Sequence, residues 1–427
     1  MGLKVALNKK SFEKNGQPFF YLADTCWSAF TNINDNDWKY YLQYRKRQGY
    51  NVLQINILPQ WDASATDLDY APYQKDKDGH FLFNQINDSY FTHARSMCEV
   101  AKEYGFELAL VVLWCNYVPT TWANNMLSHN TMPYEDIDQY LHKVNETFTD
   151  LEPLYVISGD TDLNEELSCS YYLKASQLLH DLAPNCLQSF HVRGRLMEIP
   201  ETLINQMDFY IFQSGHNAKE ENKSMPYLLP EYFIKHYPTK PLFNSEPCYE
   251  QMGYSSNMYG RFHEFEIRRA AWQSLLTGAC AGITYGAAGI YSWHTYGQEF
   301  ATEVGEGFDS PNPWHLAIHY PGAWDYGDIK AIFEDYQISE LTSAQDILMN
   351  RLDEIRAAKT NNKLLLIYVP ENTKIKLKLE TTAIKKITII DLESRHKEIG
   401  SLSSLQDGCV IGMHIFEHDV LYVVELN

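Results

Sequence analysis

Positive charge is what this chain has least of. Its 427 residues carry 35 Lys and Arg against 55 Asp and Glu, a formal net charge of −20. Nucleic-acid grooves and anionic membrane surfaces both need clustered cations, so neither is an expected partner. Long apolar runs are also missing. No stretch approaches the ~18 apolar residues of a membrane span, and Met1–Lys10 holds no signal-peptide core. The expectation is a cytoplasmic protein.

Cysteine is present without a pattern. The eight residues form no CxxC, and several sit inside apolar runs, such as Cys115 in VVLWC and Cys280 in GACAG. They read as reduced, mostly buried thiols. Nor is there an HxH or HExxH run, so neither a metal nor any other cofactor is expected. No GxSxG offers a serine nucleophile. Asp24-Thr25-Cys26-Trp27, after the first strand-like run, is unlike the glycine-rich phosphate turn that a doubly wound sheet would carry there.

Aromatic residues, in contrast, are abundant: 14% of the chain, with 30 Tyr and 9 Trp. Flat apolar rings serve carbohydrate sites as stacking platforms, though large cores absorb them too.

Eight strand-like runs alternate with helical stretches. They are Phe19–Ala23, Val52–Ile57, Glu107–Leu113, Leu154–Ser158, Leu187–Phe190, Asp208–Phe212, Pro241–Asn244 and Gly282–Tyr285. Helical spacing recurs at Trp38, Tyr41, Leu42 and Arg45, and over Tyr90–Tyr104, Ile137–Thr147, Ser170–Leu182 and Phe262–Thr277. This pattern predicts a (β/α)8 TIM barrel over residues 1–350. Beyond about Asp353 the texture changes to short alternating runs between polar turns. Residues 351–427 are therefore expected to form a small C-terminal β-sandwich. The loop Leu58–Asp88 is long for a compact domain, and such loops are more often functional than idle.

A parallel barrel keeps its chemistry just past the C-terminal ends of its strands. Two runs end there on a carboxylate: LYVISGD at Asp160 and PLFNSE at Glu246. The fourth and seventh strands face each other across a barrel mouth. A separation of about 5 Å between the two acids would suit a retaining glycosidase, with Glu246 as nucleophile and Asp160 as acid/base. The other strand ends supply Asp24, Trp27, Gln54, Trp114, His191, Gln213, His216 and Tyr285, a set rich in rings and amides and free of lysine. Trp27, Trp114 and Trp293 are candidate stacking platforms. Asn244 and Tyr249 are candidate donors to Glu246. His191 reads better as a satisfied structural group, and Asp24 is balanced between a ligand contact and a structural hydrogen bond.

Several short motifs occur in one order: Asp24-Thr25-Cys26-Trp27, Arg47-Gln48-Gly49-Tyr50-Asn51-Val52, Ser158-Gly159-Asp160, Gln213-Ser214-Gly215-His216, Ser245-Glu246-Pro247, Arg268-Arg269-Ala270, Thr284-Tyr285-Gly286 and Pro321-Gly322-Ala323. Together they resemble the apiosidase-like glycoside hydrolases, glycoside hydrolase family 140 and its relatives, over roughly Lys10–Asn350. The tail is similar to the small β-sandwich that often follows that barrel and is catalogued as collagen-binding, a label no groove or aromatic strip here supports. The resemblance implies Asp160 as acid/base, Glu246 as nucleophile, and Gln213, His216, Asp24 and Tyr285 as pocket-lining positions. It departs at Ala23 and Ser158, where the family commonly has glycine, and in the poorly matched loop Thr161–Ser170. The implied substrate is a plant-type oligosaccharide, including apiose-containing ones. A barrel glycosidase with another sugar preference and a non-catalytic carbohydrate-binding barrel are the competing readings.

Overall fold

Apolar runs such as VLQIN and ELALVVLW have no polar face to give to water, so each must be covered on both sides, as the strands of a parallel barrel are. In the computed structural model, which describes residues 2–300 and 308–427, they are. The barrel strands are Tyr21–Thr25, Val52–Asn56, Glu107–Trp114, Leu154–Gly159, Gln188–Ser189, Tyr210–Phe212, Leu242–Asn244 and Gly282–Tyr285. All pairings in this sheet are parallel, and its order runs fifth, fourth, third, second, first, eighth, seventh, sixth. The circle closes between the fifth and sixth strands. There Asp208 donates its backbone N–H to the Gln188 carbonyl at 2.8 Å, and the Ser189 hydroxyl donates to the Phe209 carbonyl at 2.6 Å.

Helices form the outer layer, among them Asp35–Arg47, Asp88–Glu103, Asp136–Phe148, Glu166–Leu182, Met225–His236 and Glu264–Leu276. None of the described helices is long and apolar enough to cross a membrane. Asn34 caps the first of these, accepting from the N–H groups of Asn36 and Asp37. Its inner face carries Trp38, Tyr41, Leu42 and Arg45, the spacing legible in the sequence. At the opposite end from the strand-end loops, a three-stranded N-terminal sheet (Lys4–Val5, Phe12–Lys14, Gln17–Phe19) plugs the barrel. Its Phe12 ring lies within 6.2 Å of the Tyr21, Phe209 and Phe243 rings.

Helix Met225–His236 is not predicted by the sequence reading, because MPYLLPEYFIKH contains two prolines. Pro230 has no N–H to give the Pro226 carbonyl one turn earlier. The Ser274 hydroxyl, shared with the Ala270 carbonyl, reaches that orphaned oxygen at 2.9 Å. A neighbouring helix thus replaces the missing bond.

The C-terminal module is antiparallel. Its larger sheet runs Leu341–Ser343, Arg356–Thr360, Leu364–Val369, Val420–Leu426, Ile384–Asp391, Lys397–Ile399. The smaller one runs Ile375–Leu377, Gly408–Ile411, Leu402–Leu405. Aliphatic side chains such as Leu365, Ile367, Ile375, Ile389 and Ile411 fill the space between them. Because Leu341–Ser343 pairs in this sheet, the module takes in residues ahead of the expected boundary at 350.

The Arg268 guanidinium, 2% exposed, joins the two parts. It pairs with Asp325 of helix Gly322–Asp335 at 2.8 Å and with Asp419 of the β-module at 2.7 Å, and Tyr368 donates to the same Asp419.

Candidate active site

The strand ends surround a cavity of about 330 Å³. Of the residues expected there, Asp160, Glu246, Trp27, Trp114, Gln213, His216 and Tyr249 line it. Glu246 follows the seventh strand, and its backbone N–H donates to Asn244 Oδ1 at 3.3 Å. Asn244 Nδ2 in turn reaches the Ser214 and Ser274 hydroxyls, so the turn that carries Glu246 is tied to two neighbouring segments.

Two imidazoles address the Glu246 carboxylate. His216 Nε2 lies 2.8 Å from Oε1. His191 Nε2 lies 3.2 Å from Oε2, close enough for attraction but off the hydrogen-bond line, so Oε2 keeps acceptor capacity. The tautomers follow from the other ring nitrogens. Asp160 N–H donates to His191 Nδ1 at 3.1 Å, and Tyr249 N–H donates to His216 Nδ1 at 3.3 Å. Each Nδ1 is an acceptor, so each Nε2 carries the proton and turns it toward Glu246. Burial alone would raise the Glu246 carboxyl. The two histidine N–H groups outweigh it and hold the group well below the usual carboxylate range. Glu246 is therefore ionised at rest.

His191 is fully buried and lies behind the cavity wall rather than in it. Read from the sequence as structural, it touches Asp160 through one nitrogen and approaches Glu246 with the other. One ring thereby couples the ends of the fourth and seventh strands.

Asp160 sits at φ +50°, in the left-handed region that a side chain other than Gly, Asn or Asp enters only at a cost. The Trp122 indole N–H donates to its carbonyl at 2.6 Å. Gly159, just before it, is required by packing: a Cβ there would stand 2.0 Å from the Trp114 indole, which lies across the strand end. Gly286 answers the same need just past the eighth strand, where a Cβ would fall 2.1 Å from the Tyr249 ring. These glycines let the cavity walls be aromatic.

Four expected pocket residues lie elsewhere. Asp24 is fully buried and turned toward the helical layer, where Arg45 Nε and the Tyr41 hydroxyl both reach it at 2.6 Å. Burial pushes its carboxyl up, and Arg45 and Tyr41 pull it back. Tyr285 also turns outward, donating to Glu250 at 2.6 Å. Gln54 is buried among barrel side chains, giving its amide to the Ser245 carbonyl at 3.1 Å. Trp293 stacks on Trp314 with centroids 4.5 Å apart and has no place in the cavity wall. For Asp24 and Tyr285 the physical reason is alternation: successive strand residues face opposite sides, so a residue at a strand end need not face the mouth.

The cavity also takes residues that the sequence reading missed: Trp61, Asp62, Trp122, Arg193, Tyr291 and Phe308, with Arg195 beside them. Asp62 belongs to the long loop Leu58–Asp88, whose length was the one signal that pointed to it. The segment His294–Pro313 falls partly outside the described residues; Phe308 is its contribution to the wall.

Several buried polar atoms of the wall have no protein hydrogen-bond partner of good geometry: Asp62 Oδ1, Trp114 Nε1, Gln213 Oε1, Glu246 Oε2 and the Tyr291 hydroxyl. Buried polar groups are normally paired. A cluster of donors and acceptors left open beside aromatic faces is what a sugar's hydroxyls and apolar ring faces would complete.

Comparison with known proteins agrees with this chemistry. The family model described as "Apiosidase-like, catalytic domain" matches residues 7–340. A search of curated protein sequences finds no significant match. Among solved structures, one described as a glycoside hydrolase aligns at a TM-score of 0.80 with 22% identity, covering 99% of this chain and 97% of the other. A family 5 glycoside hydrolase from Bacteroides vulgatus aligns at 0.80 with 21% identity, over 99% and 93% of the two chains. At these identities the structural likeness speaks for the fold, a barrel followed by a β-rich module. Because the family model spans most of the barrel, the chain belongs to the apiosidase-like family and is a glycoside hydrolase.

Proposed function

We propose that the protein is a retaining glycosidase acting on plant-type oligosaccharides, including apiose-containing ones, with Glu246 as nucleophile and Asp160 as acid/base. One observation carries the reading: Glu246 is buried yet held ionised, its Oε2 free of a hydrogen-bond partner, at the wall of an aromatic-lined cavity that Asp160 also lines. A nucleophile must meet the anomeric carbon as a carboxylate, and the two imidazole N–H groups keep it so without adding a fixed cation. In the first step Glu246 attacks the anomeric carbon while Asp160 passes its proton to the departing glycosidic oxygen. In the second, Asp160 takes a proton from water as that water displaces Glu246. Trp27, Trp114, Trp61 and Trp122 offer faces for the sugar rings.

The test is a digest of pectin-derived oligosaccharides followed by NMR of the freshly released sugar, alongside covalent trapping with a 2-deoxy-2-fluoro glycoside. Retained anomeric configuration and a mass increment on the Glu246 peptide are expected. Asp160→Asn should lose turnover on oligosaccharides but keep it on aryl glycosides with good leaving groups. Inverted product, or labelling of another residue, would overturn the mechanism.

A further inference from the structure

A third carboxyl shares the cavity with Asp160 and Glu246. Asp62 is 9% exposed and lines the wall, and its Oδ1 has no hydrogen-bond partner. The loop that carries it is not slack. Gln60 Nε2 donates to Ser28 Oγ at 2.8 Å, and Asn32 Nδ2 donates to the Ser64 carbonyl at 2.8 Å. The residues two before and two after Asp62 are therefore both tied to the segment following the first barrel strand. An unpaired acceptor on a pinned, buried loop is costly in the empty protein, because its lost hydration is not returned.

Two neighbours say what would return it. The Tyr291 hydroxyl faces the Asp62 carboxyl and itself lacks a well-aligned partner, so a donor–acceptor pair opens on one side of the cavity. Glu246 is close enough that its charge acts on Asp62. No cation is among the described groups that act on this carboxyl, so it is not a salt-bridge partner that happens to border the pocket. Burial first, and then the Glu246 charge, push the Asp62 carboxyl up to about 7. A group so placed pairs with a hydroxyl in either form: the carboxylate accepts, and the neutral acid both donates and accepts.

We propose that Asp62, with Tyr291, is a specificity-determining pair that binds a free hydroxyl of the glycone, on a ring carbon one or two bonds from the one Glu246 attacks. This assignment rests on the glycosidase reading above. Asp62 reads the sugar; it is not the proton donor to the leaving group. A glycone lacking that hydroxyl leaves Asp62 Oδ1 buried and unpaired, and sites built around a hydroxyl reject such analogues strongly.

The experiment compares wild type, Asp62→Asn and Tyr291→Phe on a panel of 4-nitrophenyl furanosides and pyranosides, then on the 2-deoxy and 3-deoxy forms of whichever glycoside is cleaved. Asp62→Asn is expected to lower kcat/KM on the parent by about 10- to 150-fold, the range for a hydrogen bond to a charged group. On the one deoxy analogue that lacks the bound hydroxyl, wild type and variant should converge to within about threefold. Tyr291→Phe should show the same convergence on the same analogue. A variant that falls equally on parent and both deoxy forms, or that does not fall at all, overturns the assignment and leaves the glycosidase reading intact. A wild type that cleaves no member of the panel withdraws the glycosidase reading, and this assignment with it.

Discussion

His191 Nε2 stands 3.2 Å from Glu246 Oε2, and the ring is fixed there because its other nitrogen accepts the Asp160 backbone N–H. The ring helps keep Glu246 ionised. His191→Phe should therefore raise the Glu246 carboxyl and shift the acid limb of the kcat/KM profile to higher pH. A loss of about 10- to 100-fold at the optimum is expected for one donor to a charge. An unmoved acid limb would show that His216 alone suffices.

Trp122 holds Asp160 by its main chain, through the 2.6 Å hydrogen bond to the carbonyl of a residue at φ +50°. Trp122→Phe keeps a ring against Trp61 but removes the donor. One neutral hydrogen bond is worth about 1 kcal/mol, so a roughly fivefold drop in kcat on oligosaccharides is expected. Aryl glycosides with good leaving groups, which lean less on the acid, should be spared. Equal losses on both substrates would indicate that Trp122 acts through stacking instead.

Gly159→Ala puts a methyl where the Trp114 indole lies. Overpacking of this kind costs about 1–3 kcal/mol. Because the indole is the part that can yield, the change should appear as a raised KM and altered tryptophan fluorescence along with a modest fall in Tm. A variant with native KM would mean that the ring does not contact substrate.

The eight barrel strands could be read from the sequence because each is a short apolar run that must be covered on both faces. That Asp160 and Glu246 would border one cavity could be read because strand order places the fourth and seventh ends opposite each other. The failures have physical causes as well. Asp24 lies at a strand end like Asp160, but it faces outward, and the clue was on another element: Arg45 shares an inner helix face with Trp38, Tyr41 and Leu42 and needs a buried anion. Asp62 lies in a loop whose path has no periodicity to follow. Helix Met225–His236 hides behind Pro230, because the compensating Ser274 hydroxyl comes from far along the chain.

Ser274→Ala should leave the Pro226 carbonyl unsatisfied, at about 1–3 kcal/mol of stability. Pro230→Ala restores an N–H at the position that this carbonyl lacks. In that background the same Ser274→Ala change should cost about 1 kcal/mol less, measured as a double-mutant cycle in urea. Additive effects would show that Ser274 matters only through Ala270 and Asn244.

Glu250, 1% exposed, accepts from Tyr285 and from the Gly322 N–H, yet burial raises its carboxyl from the ordinary 4.5 to about 7. The folded state thus holds this proton more tightly than the unfolded chain. The associated stability is fully present below about 4.5 and is lost as pH rises through 7, a change on the order of 3 kcal/mol. Glu250→Gln, which cannot ionise, should therefore gain Tm relative to wild type as pH goes from 5 to 8. A Tm difference constant across that range would mean that Glu250 stays ionised.

The Arg268 hub limits how this enzyme can be recombined. One guanidinium spends its donors on Asp325 from the barrel and on Asp419 from the β-module, at a site nearly closed to water. Cutting the chain after the barrel would leave that cation half-neutralised beside newly bared apolar surface. Grafting on a foreign tail would do the same unless the tail brought its own acid to that spot. The tail therefore cannot be exchanged as a free cassette: barrel and tail must diverge together at these three positions, and a shuffled chimera should fail in folding before it fails in catalysis.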